Sequence, residues 1–297
     1  MAIRLLAVLF LLAGCVPNGA VPTSGVQAST TTTRSVATTN AEPGLSTTTV
    51  TAAPPCLSGD EPFTSRTTSL VGRSDGDAAA IAGLRWEDFE GCQRVVVSLA
   101  TADQAPATRS GQIEVSVRSD LGVVRIDFGP EVEQTAVADA VMDASLVAGA
   151  YVVRDIEGGL FLDLHTETTV EVRATTPGAP ARVVVDLRPA GGGGAASAAT
   201  GPLAVLMTPN QQATSYPIDV SGYARTPEAA VVIRLVVEGA QVATIGTPAA
   251  DWLETWGVFA ATIQNGPPGE GELMVGDGTE LDTVLALTVR EAPEAER

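Results

Sequence analysis

The chain has 297 residues and a formal net charge of -18, with 35 acidic residues against 17 basic ones, every one of them arginine. So acidic a chain repels nucleic acid and anionic headgroups, and no basic patch offsets the repulsion, so nucleic acid is not expected as a partner. The absence of lysine removes Schiff-base chemistry, the lysine of phosphate-binding loops and Ser-Lys dyads.

Residues 1–15 carry Arg4, then an apolar run over 5–12, then Leu12-Ala13-Gly14-Cys15. The run is too short to span a bilayer, the positive charge precedes it, and small residues precede the cysteine. This resembles a bacterial lipoprotein signal peptide ending in a lipobox. The resemblance implies that Cys15 becomes the first residue of the mature chain and is lipidated with palmitate-type acyl groups. It also implies a location on the outer face of the cytoplasmic membrane, exposed to the cell wall, with the membrane as a partner through the lipid anchor.

Residues 16–55 are mostly Thr, Ser, Ala and Pro, with threonine runs at 30–33 and 47–49 and only Arg34 and Glu42 charged. Such a segment does not bury enough apolar surface to offset its ordering entropy, so a disordered tether is expected, reaching about 35 Å as a flexible coil. With Cys15 acylated, Cys56 and Cys92 remain as an even pair in an oxidising compartment, and a disulfide between them is expected. By chain entropy such a bridge stabilises the fold by about 4 kcal/mol and pins the end of the tether to its own domain.

A first β-rich domain is expected over 56–189, with strands near 94–99, 112–117, 123–128, 151–155, 160–165, 170–174 and 182–187. Val123-Val124-Arg125-Ile126-Asp127-Phe128 alternates as a sheet does when one face packs inward. Glu157-Gly158-Gly159 and Pro177-Gly178 mark turns. Residues 130–147, with Val132, Val137, Val141 and Leu146, read either as a short helix or as a loop. Three stretches, Cys92-Gln93-Arg94-Val95-Val96-Val97, Gly158-Gly159-Leu160-Phe161-Leu162-Asp163-Leu164 and Ala181-Arg182-Val183-Val184-Val185-Asp186-Leu187, resemble the AMIN-like domain of actinobacterial envelope proteins. That resemblance implies a targeting or binding module with cell-wall polymer as its ligand.

Residues 190–201, with four consecutive glycines, read as a flexible linker. A second domain is expected over 202–290, with short runs at 203–207, 218–222, 231–237, 242–245, 258–263, 272–275 and 284–289 and turn signals about every ten residues. That is the pattern of a seven-stranded immunoglobulin-like sandwich. Ile218-Asp219-Val220-Ser221-Gly222-Tyr223, Trp256-Gly257-Val258-Phe259 and Gly269-Glu270-Gly271-Glu272-Leu273-Met274-Val275 resemble the immunoglobulin-like domain attached to spore-germination proteins. Residues 291–297 form a charged tail, and the fold class expected for the whole is all-β.

Catalytic candidates are few. His165 is the single histidine, and Asp163, His165 and Glu167 alternate by two on one predicted strand, so they share a sheet face. The arrangement admits an acid-base or metal cluster, but Leu160, Leu162 and Leu164 fill the other face, and a solvated polar face is the expected reading. One histidine does not build a zinc-amidase site unless acidic residues supply every other ligand, and no Gly-x-Ser-x-Gly turn occurs. Asp277-Gly278-Thr279-Glu280-Leu281-Asp282 lacks the full calcium-loop pattern and reads as a hairpin turn, as does Ser74-Asp75-Gly76-Asp77. Trp86, Glu87, Asp88, Phe89 and Glu90 read as an acidic loop flanked by aromatics and are the expected exposed contact site.

The function expected is therefore non-catalytic: an anchored extracytoplasmic binding or scaffolding protein of the envelope, contacting peptidoglycan or another exported protein, without cofactor or metal. The alternatives are a wall-polymer hydrolase using carboxylates alone, or a spacer or assembly subunit of a membrane complex.

Overall fold

The computed structural model describes residues 55–70, 75–191 and 199–291, and these residues are nearly all β. The expected lipobox with Cys15, the expected tether apart from its last residue, the core of the expected linker at 192–198 and the residues beyond 291 lie outside them. In the N-terminal part the strands are β1 (Thr68–Leu70), β2 (Ala80–Phe89), β3 (Cys92–Ala100), β4 (Ile113–Arg118), β5 (Val123–Phe128), β6 (Gln134–Thr135) and β7 (Asp139–Val141). They continue with β8 (Val147–Arg154), β9 (Leu160–Thr166), β10 (Val170–Thr175) and β11 (Arg182–Pro189). The C-terminal part holds β12 (Ala199–Thr200), β13 (Ala204–Thr208), β14 (Ala213–Ser215), β15 (Ile218–Ala224) and β16 (Ala230–Val237). It ends with β17 (Ala240–Pro248), β18 (Trp256–Ile263), β19 (Gly269–Gly276) and β20 (Thr283–Arg290).

Three sheets result. One, in the order β10-β11-β3-β2-β6, and another, in the order β14-β20-β19-β16-β17, belong to one part each. The third runs β1-β4-β5-β9-β8-β18-β15-β13-β12, with β7 on β8, and crosses from one part to the other. Period-two alternation explains both cores. Val95, Val97 and Leu99 of β3 and Val183, Val185 and Leu187 of β11 meet Ile113, Val115, Val124, Ile126, Leu162 and Leu164 from the facing sheet. Ile218, Val220 and Phe259 likewise meet Ile233, Leu235, Leu273, Val275 and Leu287.

The crossing is narrow. β8 and β18 pair in parallel through only Val153↔Trp256 and Arg154↔Gly257. β9 and β15 lie three strand spacings apart, about 14 Å in a flat sheet, yet His165 of β9 and Tyr223 of β15 are hydrogen-bonded. The shared sheet is therefore folded at the β8–β18 seam, and the faces turned away from the two cores close on each other. Leu121, Val123, Val153, Phe161, Val205, Met207, Tyr223 and Trp256 form a third apolar cluster there. Gly257 is required at the seam, because a Cβ on it would lie 2.1 Å from the Asp251 nitrogen.

Several expectations change. Trp86 to Phe89, expected in a loop with Glu90, are the end of a ten-residue strand over 80–89: Leu84 and Trp86 pack on the core while Arg85, Glu87 and Asp88 stay exposed. Of the charges that suggested a loop, Glu87 sits on the solvent side of a half-buried strand, Asp88 follows Trp86 on the other side at the strand's end, and Glu90 lies in the turn. Residues 130–147 hold β6, β7 and the start of β8 and no helix. The end of the expected linker is itself a strand, β12 pairing with β13.

Candidate functional site

The strand Val123-Val124-Arg125-Ile126-Asp127-Phe128 sends its valine-isoleucine face into the core, so Arg125 projects on the opposite face, toward the fold of the shared sheet. There its Nε and Nη2 donate to Asp163 Oδ1 and Oδ2, both at 2.8 Å, and its guanidinium lies 3.7 Å from the centre of the Phe161 ring. Asp163 is 0 % exposed. Paired in this bidentate way, a carboxylate tolerates burial that it would not tolerate alone.

His165, two residues along the same face, is 7 % exposed. Tyr223, fully buried, is its hydrogen-bond partner from the other sandwich. Burial pulls the imidazole down to about 4, opposed by the nearby Asp163 charge and reinforced by Arg125, so the ring is neutral at physiological pH. Burial likewise pushes the Tyr223 phenol well above its ordinary value. Tyr151 packs at 4.9 Å from the His165 ring, 5.0 Å from Trp256 and 5.5 Å from Tyr223, centre to centre. These are the edge-to-face and tilted contacts that aromatic rings prefer.

Polar bonds fasten the rim of the seam. Trp256 Nε1 donates to Asp139 Oδ2 at 2.8 Å, and Arg154 Nε donates to Asp251 Oδ2 at 3.2 Å. Asp251 also accepts from the Trp252, Leu253 and Thr255 amides and the Thr255 hydroxyl. Burial alone would raise its carboxyl; these donors outweigh it and bring it to about 2.

The aromatic cluster separates two openings. One, of about 390 Å³, is bordered by Val141, Gly149, Tyr151, His165 and Glu167. The other is a cleft of about 590 Å³ between the folded halves of the sheet, with Arg118, Arg125 and Phe161 on one side and Met207, Tyr223 and Val258 on the other. Clefts at domain junctions with an apolar lining and a few placed charges are where ligand sites concentrate.

Asp163 and His165 thus share a face as expected, but that face is buried between the sandwiches and is not a solvated surface. Leucines at 160, 162 and 164 fill the core side, and the second sandwich covers the other. Glu167 follows the end of β9 and lies at the rim. Trp86 to Phe89 lie on β2, on the far sheet, and only Glu90 occupies the turn with Gly91. Asp88 serves the fold, accepting from the Ser145 amide and hydroxyl. Asp277 closes a hairpin by accepting from the Thr279 and Glu280 amides at 2.7 Å. Asp77 instead holds a distant loop, accepting from the Thr108 and Arg109 amides, and Asp75 pairs with Arg109; Ser74 lies outside the described residues.

The Cys56–Cys92 disulfide is present, as the cysteine count predicts. Around it, Arg94 donates to both oxygens of Asp186, and Arg173 donates to Asp186 and to the Cys56 carbonyl. Phe63 lies against the guanidinium groups of Arg173 and Arg188. The segment following Pro55 is thereby laid over the outer face of β3, β11 and β10.

Residue reasoning missed Arg118, Arg125 and Tyr223 as parts of a site. Their alternation was legible, but nothing local says that an outward face will be covered by another sandwich.

No curated protein and no solved structure matches this chain. Residues 205–280 match the family Gmad2, the immunoglobulin-like domain of bacterial spore germination, and the C-terminal sandwich is immunoglobulin-like.

Proposed function

We propose that this chain is a lipid-anchored, non-catalytic protein of the cell envelope, held through Cys15 on the outer face of the cytoplasmic membrane. Its two sandwiches bind or scaffold, with wall polymer or another exported protein as the partner. The lipobox-like residues 1–15 and the Thr- and Pro-rich stretch behind them support the address. The AMIN-like motifs of the first sandwich and the Gmad2 match of the second support a binding role.

The observation that carries the reading is the Cys56–Cys92 bridge. Disulfides persist in exported proteins and are rare in reducing compartments, and this one sits where the tether meets the body. A binding role also agrees with the state of His165, which is neutral and engaged with Tyr223 between the two sandwiches.

Labelling of cells with a palmitate analogue tests the anchor: the wild-type chain takes up label and Cys15→Ser does not. Wild-type protein without label overturns the anchored reading. Sedimentation with insoluble peptidoglycan at low and moderate salt tests the wall-binding version, which fails if the protein stays in the supernatant.

A further inference from the structure

The cleft between the two halves of the shared sheet is lined by two arginines, of which Arg125 is paired with Asp163 and Arg118 has no ion pair among the described residues. Arg118, at the end of β4, forms no ion pair and no side-chain hydrogen bond among the described residues; Asp127 on the neighbouring strand is close enough to feel its charge. Arg125 uses Nε and Nη2 on Asp163, and its Nη1 has no partner among the described residues. Arg118 pairs with Val123 and Ser116 with Arg125 across β4 and β5, so the two arginines are diagonal neighbours on one face. Diagonal Cβ atoms lie about 7 Å apart, within the reach of two long side chains converging on one anion.

The remainder of the cleft is apolar or already hydrogen-bonded, including the one carboxylate in its lining, Asp155, whose Oδ1 accepts from the Glu157 and Gly159 amides. Phe161, Met207 and Tyr223 form its floor. On the far wall the Thr208 and Ser221 hydroxyls bond each other at 2.6 Å. The β18 carbonyls of Ala260 and Val258 accept from the Thr247 hydroxyl and the Ala250 amide. Strands β5, β9, β13 and β15 are paired on both sides, so an extended peptide finds no free ladder of main-chain groups along them. A sugar, which needs many hydrogen-bond partners, meets few. Ile156, at the cleft mouth, is 85 % exposed, an apolar side chain that a hydrocarbon lying there would cover.

We propose that this cleft binds an amphiphile whose acidic head, a carboxylate or a phosphate, is held by Arg118 and the free Nη1 of Arg125 while its hydrocarbon body lies on Phe161 and Met207 toward Ile156. Charge complementarity selects the head, and the dry floor selects the body. The proposal stands apart from the envelope address, and neither falls with the other.

Calorimetric titration of the detergent-free, full-length Cys15→Ser chain tests it, with laurate, dodecyl phosphate and uncharged dodecanol, each below its aggregation limit. One molecule of laurate or dodecyl phosphate is expected to bind per chain, at least tenfold more tightly than dodecanol. Whichever acid binds more tightly names the head group and supports the proposal. Arg118→Gln, at a partly exposed strand end, is expected to weaken both acids about tenfold without changing dodecanol binding or the unfolding midpoint. Val258→Trp, which fills the far wall, is expected to weaken all three. Equal binding of the three probes, no binding of either acid, or acid binding unchanged in Arg118→Gln overturns it.

Discussion

Tyr223 of the C-terminal sandwich hydrogen-bonds His165 of the N-terminal one, and both side chains are buried. The sandwiches are therefore joined by more than a linker: a buried polar bond, an aromatic cluster and a shared sheet cross the boundary.

Tyr223→Phe removes the partner and leaves the His165 imidazole buried without one, which costs about 1–3 kcal/mol. Removing both polar groups is milder, because no unsatisfied atom remains. Chemical denaturation of Tyr223→Phe, His165→Phe and the double variant is expected to show a double variant more stable than the sum of the two losses.

Acid is expected to weaken the fold through the same group. The folded His165 titrates at about 4 against 6.5 for the ordinary side chain. The unfolded chain thus binds the extra proton first as pH falls. The stabilisation from keeping this ring neutral is fully present above pH 6.5 and is lost progressively down to about pH 4, a change of about 3 kcal/mol. Stability curves at pH 7, 5.5 and 4.5 are expected to fall more steeply for wild type than for His165→Phe; parallel curves would contradict the assignment.

Gly257→Ala places a methyl carbon against the Asp251 backbone at the seam. Backbone at that distance has to shift, and a loss of about 2 kcal/mol or more is expected. Calorimetry is expected to show one unfolding transition for the wild type and a broadened or split one for the variant, as the sandwiches uncouple.

Asp186→Asn leaves the guanidinium groups of Arg94 and Arg173 without their shared carboxylate. Arg173 is 6 % exposed, so the loss is expected near the range for breaking a buried ion pair, about 3–5 kcal/mol. The denaturant midpoint measures it, and Glu171→Gln, whose ion pair with Arg188 is more exposed, serves as the mild control.

Much of this architecture is readable from spacing alone. Alternation of apolar residues finds β3, β5, β9 and β11 because one neighbour of each face is always the core, and turn signals space the strands of the immunoglobulin-like sandwich correctly. β2 escapes because Ala82 is a bulge residue that shifts the register between Ile81 and Gly83, and because Arg85, Glu87 and Asp88 put exposed charges on both faces of its second half. The cleft escapes for a different reason. The covering of the Arg125, Asp163 and His165 face depends on two strand pairs at β8–β18, a contact between residues about a hundred positions apart that leaves no periodic trace. Phe161 among Asp163 and His165 on the outward face of β9 is the one local hint that this second face is covered.

The placement of the disulfide decides how the body meets mechanical tension. A pull on the chain ahead of Pro55 reaches Cys56 and passes through sulfur to Cys92, the first residue of β3. That strand is the middle one of its five-stranded sheet, held by β2 on one side and β11 on the other. The strain is therefore shared by two ladders of interstrand hydrogen bonds loaded along their length, where many must yield together, and the body resists unzipping from its N-terminal end.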